Sequence, residues 1–304
     1  MTYPEKVDFH MHTNVSDGTD TPEEILHNVR QAGIGMFSVT DHDAVKGCKA
    51  IQNILTENDP FFVTGVEFSC KDEKGKYHIL GYGYDANSAP IQKVVEMGHH
   101  YRIDKVRARL DYLKSEYGFT FSEEDIQRLF SLDNPGKPHI GNMMVRYGYA
   151  GTKEIAIKQY INGIHFKTQY VRPEEAIAGI LGSGGIPVLA HPCYGSGDQL
   201  ILGDELESRV KRLMEFGLKG VEGFYSGFTE KLREQVLSIA GRYGLYVTAG
   251  SDYHGTNKMV VLGDTGLHSA QTIPGGLLRF YEDVHGSNAE QAFYFEKRLN
   301  GVTQ

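Results

Sequence analysis

Two histidines, His10 and His12, stand two residues apart in Val7-Asp8-Phe9-His10-Met11-His12. Side chains two apart on a strand share a face, so both imidazoles can converge on one ion. Further along come Asp17, the His42 of Thr40-Asp41-His42, Glu67, His78, the His191 of Ala190-His191-Pro192, and Asp252 with His254 in Ser251-Asp252-Tyr253-His254. A lone strand-end histidine is an ordinary core or rim residue. Nine imidazoles and carboxylates at successive strand ends carry more weight, because the loops after the C-terminal strand ends build the sites of parallel α/β folds. Nitrogen and oxygen donors without thiolate suit zinc, manganese or iron better than a structural cysteine-type zinc.

These residues need strands and helices to position them. Thr21-Pro22-Glu23-Glu24 supplies an N-cap threonine, a proline at the first helical position and a glutamate for a capping box, predicting a helix to about Gly33. Strand-like runs cover 7–12, 36–40, 61–69, 77–84, 186–190, 221–225 and 245–250, and helical runs cover 44–55, 173–181, 205–216 and 229–243. Strands mostly separated by helices predict an α/β fold, either a parallel barrel or a doubly wound sheet. The rhythm breaks between roughly 89 and 172, where 93–117 reads as one long charged helix and 122–130 and 139–147 as shorter ones. That segment is expected to be an inserted helical subdomain, 89–172, on a body made of 1–88 and 173–304. Ser287-Asn288-Ala289-Glu290 is placed to cap a last helix ending near Asn300.

Composition excludes whole classes. At 304 residues, 40% hydrophobic and 23% charged, the chain is neither disordered nor collagen-like. Its three cysteines are too scattered for a disulfide framework, which points to a reducing compartment. The first residues lack the apolar core of a signal peptide, and no apolar run approaches the ~18 residues of a membrane span. A cytoplasmic protein without membrane association is expected. The net charge is −8, yet 99–172 holds twelve Lys and Arg against eight Asp and Glu, a basic insert on an acidic body. Long duplex nucleic acid is therefore not the expected partner, since it requires a broad basic face.

The series His10-x-His12-x-x-x-x-Asp17, Thr40-Asp41-His42, Glu67, His78, Ala190-His191-Pro192 and Ser251-Asp252-x-His254 resembles the motifs of the PHP (polymerase and histidinol phosphatase) family from Val7 to Gly255. The resemblance implies a distorted (β/α)7 barrel and a trinuclear centre of two to three divalent transition-metal ions (Mn, Fe or Zn). It would place one ion on His10, His12, Glu67 and Asp252, a second on Glu67, His78 and His191, and a third on Asp17, His42 and His254. The insert resembles that of stand-alone bacterial members acting on nucleotide phosphates, among them nucleoside 3′,5′-bisphosphate phosphatases and 5′-exoribonucleases.

Three divalent ions against the carboxylates Asp17, Glu67 and Asp252 leave a net positive site that suits an anion, and zinc alone lowers a bound water's pKa to ~7. The expected reaction is hydrolysis of a phosphoester by a metal-bridging hydroxide, with a nucleotide phosphomonoester or the end of a short oligoribonucleotide as substrate. Competing readings are a histidinol-phosphate-type phosphatase, a metal-dependent amidohydrolase and a non-catalytic binding module. His139 and Arg172 are candidates to meet the phosphate or its leaving group, and Asp41 is a candidate to orient His42 through its ring N–H. Tyr101, Tyr147, Tyr149 and Tyr160 are candidates for stacking a base, with packing as the commoner role.

Overall fold

The computed structural model describes residues 4–164, 169–195, 199–268 and 272–286. The expected final helix, after Ser287, lies outside these residues. The first helix starts at its capping box. The Thr21 side chain accepts from the Glu24 N–H while the Glu24 carboxylate accepts from the Thr21 N–H at 2.8 Å, and helix α1 runs Pro22–Gln31. The other helices are α2 (Lys46–Ile54), α3 (Ala89–Tyr117), α4 (Glu123–Phe130), α5 (Lys137–Arg146), α6 (Lys153–Ile155), α7 (Pro173–Gly182), α8 (Gly203–Glu215), α9 (Glu230–Tyr243) and α10 (Gly275–Gly286). None among the described residues is long and apolar enough to cross a membrane.

The strands form two sheets. One is parallel and short, with β1 (Val7–Asp8), β2 (Met36–Phe37) and β3 (Phe61–Phe62) in that order. The other orders β4 (Gly65–Asp72), β5 (Gly75–Tyr82), β6 (Ile186–Leu189), β7 (Gly220–Tyr225) and β8 (Tyr246–Gly250). In it β4–β5 and β5–β6 are antiparallel, while β6–β7 and β7–β8 are parallel. The α/β fold is as expected, but the mixed strand directions depart from an all-parallel barrel or sheet and from the distorted (β/α)7 barrel that the resemblance implies. β4 and β5 are joined by a tight turn, in which Lys74 N–H donates to Asp72 Oδ1 at 2.8 Å, and so short a link can only reverse the chain. The run expected as one strand over 61–69 is divided between the sheets. At Gly65 the chain passes so close to Ser38 and Val39 that a Cβ would lie 2.0 Å from Ser38 Oγ.

Two seams of single bonds, rather than ladders, join the sheets, so the strands do not close into a barrel. Along one, Phe9 N–H donates to Ala249 O at 2.9 Å, Asp252 N–H to His10 O at 2.8 Å and His12 N–H to Tyr253 O at 2.8 Å. Along the other, His42 bridges Glu67, and Asp43 N–H donates to Glu67 O at 2.9 Å. His10, His12 and Asp252 sit on the first seam and His42 and Glu67 on the second, while His78 lies on β5 and His191 follows β6. Phe9 and Met11 are fully buried, Phe9 against Phe280 with ring centroids 5.2 Å apart. Burying a phenylalanine contributes about 1.5–3 kcal/mol. By alternation, that anchoring turns His10 and His12 the other way.

Helix α3 ties the helical segment that follows it to the body. Its first half packs Ile91 and Val94 into the main core, and its second half packs Val106, Leu110 and Leu113 with Leu129, Ile140 and Met144 in a separate core. Lys46 Nζ pairs with Asp133 at 2.9 Å, and Lys153 Nζ donates to Asn257 Oδ1 at 2.6 Å, so the helical segment is fastened to the start of α2 and to the turn after His254.

Candidate metal centre

Glu67 is the hub. Its carboxylate, 1% exposed, lies within 3.3 Å of ring nitrogens of five histidines: His78 at 2.9 Å, His42 at 3.1 Å, His12 at 3.2 Å, and His10 and His191 at 3.3 Å. Asp252 Oδ1 stands 3.4 Å from His12 Nε2 and 3.6 Å from His10 Nε2. Asp17 Oδ1 lies 3.2 Å from His254 Nε2, and the His12 and His254 rings stack at 4.0 Å. All nine residues singled out for metal-type chemistry therefore meet in one place. Three sets place ligand atoms within 4.8 Å of one another: His12, Asp17, His42 and His254; His10, His12 and Glu67; His42, Glu67 and His78.

Buried donors of this kind fit divalent cations. The Nε2 atoms of His10 and His12 are buried and make no hydrogen bond, although each faces carboxylate oxygens. Without a cation, desolvating them is unfavourable. The electrostatics agree. Burial pushes the Glu67 carboxyl up, but the imidazoles of His42, His78 and His10 outweigh it and hold it well below its ordinary range. Burial likewise opposes ionisation of Asp17 and Asp252, and His42 with His254, and His10 with His12, respectively hold them well below theirs. Burial alone would depress the His12 imidazole, and the carboxylates of Asp252, Glu67 and Asp17 instead drive it up to about 9. These acids stay ionised and attract positive charge.

The backbone is strained at this spot. The non-glycine residues with positive φ among the described residues are Asp43 (49°), His191 (27°) and Asp252 (58°). Such conformations cost about 1–3 kcal/mol each and persist where surroundings enforce them, typically at functional sites. Asp43 is held by Ser69 N–H at 2.9 Å and by Arg102 Nε at 2.6 Å. Asp252 Oδ2 accepts from Tyr225 OH at 3.1 Å and Lys258 Nζ at 2.6 Å, leaving Oδ1 to the histidines.

The other three candidates belong to none of these sets. Asp41 does not receive the His42 ring. Its oxygens accept from Thr13 N–H (2.8 Å), Thr13 Oγ1 (2.7 Å) and Ser16 Oγ (2.7 Å), which pins the loop carrying His12 to Asp17. Gly47 leaves room for it, since a Cβ there would lie 1.9 Å from Asp41 Oδ2. His139 Nδ1 accepts from Gly136 N–H at 3.2 Å, so Nε2 carries the ring proton, and burial lowers its pKa although Asp17 pulls the other way. His139 also lines a cavity of about 330 Å³ with Arg128, Asn142 and Arg146. Arg172 is exposed and paired with Glu174 and Glu73, and no described interaction joins it to the cluster.

Sequence reasoning missed Glu222. Fully buried, it accepts from His10 Nδ1 at 2.9 Å through Oε1 and from His191 N–H at 2.7 Å through Oε2. The signal was a carboxylate inside the apolar strand Val221-Glu222-Gly223-Phe224, where a charge survives only with partners. Asp8 was missed likewise; it accepts from Ser251 N–H at 2.9 Å and Ser251 Oγ at 2.6 Å, fixing the turn that leads to Asp252. A carboxylate on a ligand's second nitrogen fixes tautomer and orientation. Glu222→Gln should therefore weaken manganese binding about 10–100-fold. A competitive chelator titration reads this directly, and an unchanged affinity would remove Glu222 from the centre.

A solved structure from Bifidobacterium adolescentis, described as a candidate metal-dependent phosphoesterase, superposes with a TM-score of 0.76 at 28% identity, covering 88% of this chain and 94% of that one. The phosphoribosyl 1,2-cyclic phosphate 1,2-diphosphodiesterase of Eggerthella lenta is 31% identical over 258 residues, 82% of this chain and 94% of the relative. The 3′,5′-nucleoside bisphosphate phosphatase of Chromobacterium violaceum is 25% identical over 260 residues, 82% of this chain and 87% of the relative. The PHP domain model matches residues 8–165, the stretch that carries His10, His12, Asp17, His42, Glu67 and His78. With the sequence likeness and the shared fold pointing the same way, the chain belongs to the PHP domain family.

Proposed function

We propose that this metal-dependent phosphoesterase removes a phosphoryl group from a nucleotide that carries two of them, a nucleoside 3′,5′-bisphosphate or the 5′ end of a short oligoribonucleotide. The observation that carries the reading is the buried Glu67 carboxylate ringed by five imidazoles, a donor set for cations with no other evident use. Both curated relatives described above are named for substrates with two phosphoryl groups.

His10, His12, Glu67 and Asp252 would hold one divalent ion, Glu67, His78 and His191 a second, and Asp17, His42 and His254 a third. Bound ions of manganese, iron or zinc supply Lewis acidity toward phosphate oxygens and lower the pKa of water. The chain does the rest. Glu222 orients His10, Lys258 and Tyr225 orient Asp252, and Asp41 holds the Asp17 loop. The helical segment 89–172 acts as an inserted subdomain that overhangs the seams, with Asn134 donating to His42 O.

His139 presents its Nε2–H for the departing oxygen. General acids contribute about 10²–10⁴-fold. His139→Ala should lose at least ~10²-fold on a nucleoside 5′-monophosphate and far less on 4-nitrophenyl phosphate, whose leaving group needs no proton. Equal losses on both substrates would assign the proton elsewhere. The reading as a whole is tested by phosphate release with manganese from nucleoside 3′,5′-bisphosphates, nucleoside monophosphates, histidinol phosphate and short oligoribonucleotides. The bisphosphate or the oligoribonucleotide should be turned over fastest. Release from none of them would refute it, as would preferential opening of cyclic amides or lactones.

A further inference from the structure

The titratable groups left over by the cluster concentrate on one face of α3. Arg102, Lys105 and Arg109 are three and four residues apart, so their side chains emerge on one side of the helix. Lys137 opens α5 nearby. Arg102 is committed: Nε donates to Asp43 at 2.6 Å and a terminal nitrogen to Ser69 Oγ at 2.9 Å, and Ser69 Oγ lies 3.5 Å from His42 Nδ1. The row therefore starts beside the metal-type residues and leads away from them.

The rest of the row makes no ion pair among the described residues, and Asp43, already paired with Arg102, acts on Lys105 only from a distance. Among the described residues no carboxylate pairs with Lys105, Arg109 or Lys137. Lys105, only 9% exposed, sets Nζ 3.2 Å over the Tyr170 ring. Arg109 Nε is buried without a hydrogen-bond partner. Among the described residues Lys137 Nζ donates to the amide oxygen of Asn162, at 2.5 Å, and to no carboxylate. Burial, with Arg102 and Arg109 alongside and Asp43 only partly opposing them, pushes the Lys105 ammonium down to about 7; burial, with Arg109 and Lys76 nearby, brings Lys137 to about 8. Gathering desolvated like charges is unfavourable unless an anion offsets them. From Arg102 to Arg109 the helix rises about 10 Å, a distance of the order of one nucleotide unit. Arginine matches phosphate with a fork of donors and lysine with a point charge.

We propose that Lys105, Arg109 and Lys137 form a second anion subsite that takes a phosphate other than the one hydrolysed, either the remaining phosphate of a nucleoside bisphosphate or the diester phosphate of an oligoribonucleotide. The inference rests on the phosphoesterase reading for its role in turnover, though not for binding. The subsite selects substrates with two phosphoryl groups and sets their spacing.

The manganese-loaded protein and the variants Lys105→Met, Arg109→Gln and Lys137→Gln are compared on adenosine 3′,5′-bisphosphate, 5′-phosphorylated diadenylate and adenosine 5′-monophosphate. Each variant should lower the kcat/KM ratio of a two-phosphate substrate to the monophosphate at least tenfold, mainly through KM, and Lys105→Arg should restore much of it. Loss in the bisphosphate arm identifies a monoester occupant, and loss in the diadenylate arm a diester. A ratio unchanged in all three variants would overturn the subsite. Calorimetric titration of adenosine 3′,5′-bisphosphate separates the two claims. Binding that weakens at least tenfold in the variants, with no turnover of any phosphate, would defeat hydrolysis and keep the subsite, whereas binding equal to that of the unaltered protein would defeat the subsite.

Discussion

Glu67→Ala should lower metal-dependent phosphate release by at least about 10³-fold, because the substitution removes the anion on which the proposed ion sites converge. Five imidazoles approach this carboxylate within 3.3 Å, so no neighbour can take its place. Alanine would leave those rings facing one another around a cavity, with nothing to offset a second or third proton or cation. Glu67→Gln is the sharper version, since it keeps volume and hydrogen-bonding capacity while removing the charge. It should fail almost as completely, and its manganese content by mass spectrometry should fall in parallel. Activity within tenfold of the parent in Glu67→Gln would show that the hub is structural.

Removing the ions should be as severe as removing the hub. Exhaustive chelation should take phosphate release below detection, and manganese, iron or zinc should restore it on return. The same treatment should lower the melting temperature by several degrees, since a ligand present at 100 times its Kd stabilises the native state by about 2.7 kcal/mol. The structure explains the sign. Asp17, Glu67 and Asp252 are ionised groups in a buried, histidine-rich pocket, and without metal ions only the Lys258 ammonium on Asp252 and protons on imidazoles can offset them. Full activity after complete chelation would exclude the mechanism.

What could be read from residues alone depended on how local the physics was. The alternation Phe9, His10, Met11, His12 is a local property, and burial of Phe9 and Met11 with both histidines opposite follows from it. The α1 cap is local too, its threonine and glutamate lying three residues apart. Contacts between distant segments were not legible. The break at Gly65 depends on the approach of Ser38, and the reversal at β4–β5 on a turn closed by Asp72. Asp41 lies next to His42 in sequence, yet its acceptors are saturated by Thr13 and Ser16, so adjacency misassigned it. Glu222 performs for His10 the role sought in Asp41 for His42 across 212 residues of sequence, and only its burial in an apolar strand hinted at a partner. Arg172 is a candidate by its place at the end of the insert, but Glu174 and Glu73 take its charge at the surface.

Anomalous diffraction from crystals soaked in manganese tests the centre most directly. The account predicts two or three peaks inside the cluster, one of them touching Glu67 together with His10 and His12. Peaks confined to other acidic surfaces, or a cluster that stays empty at saturating manganese, would contradict it.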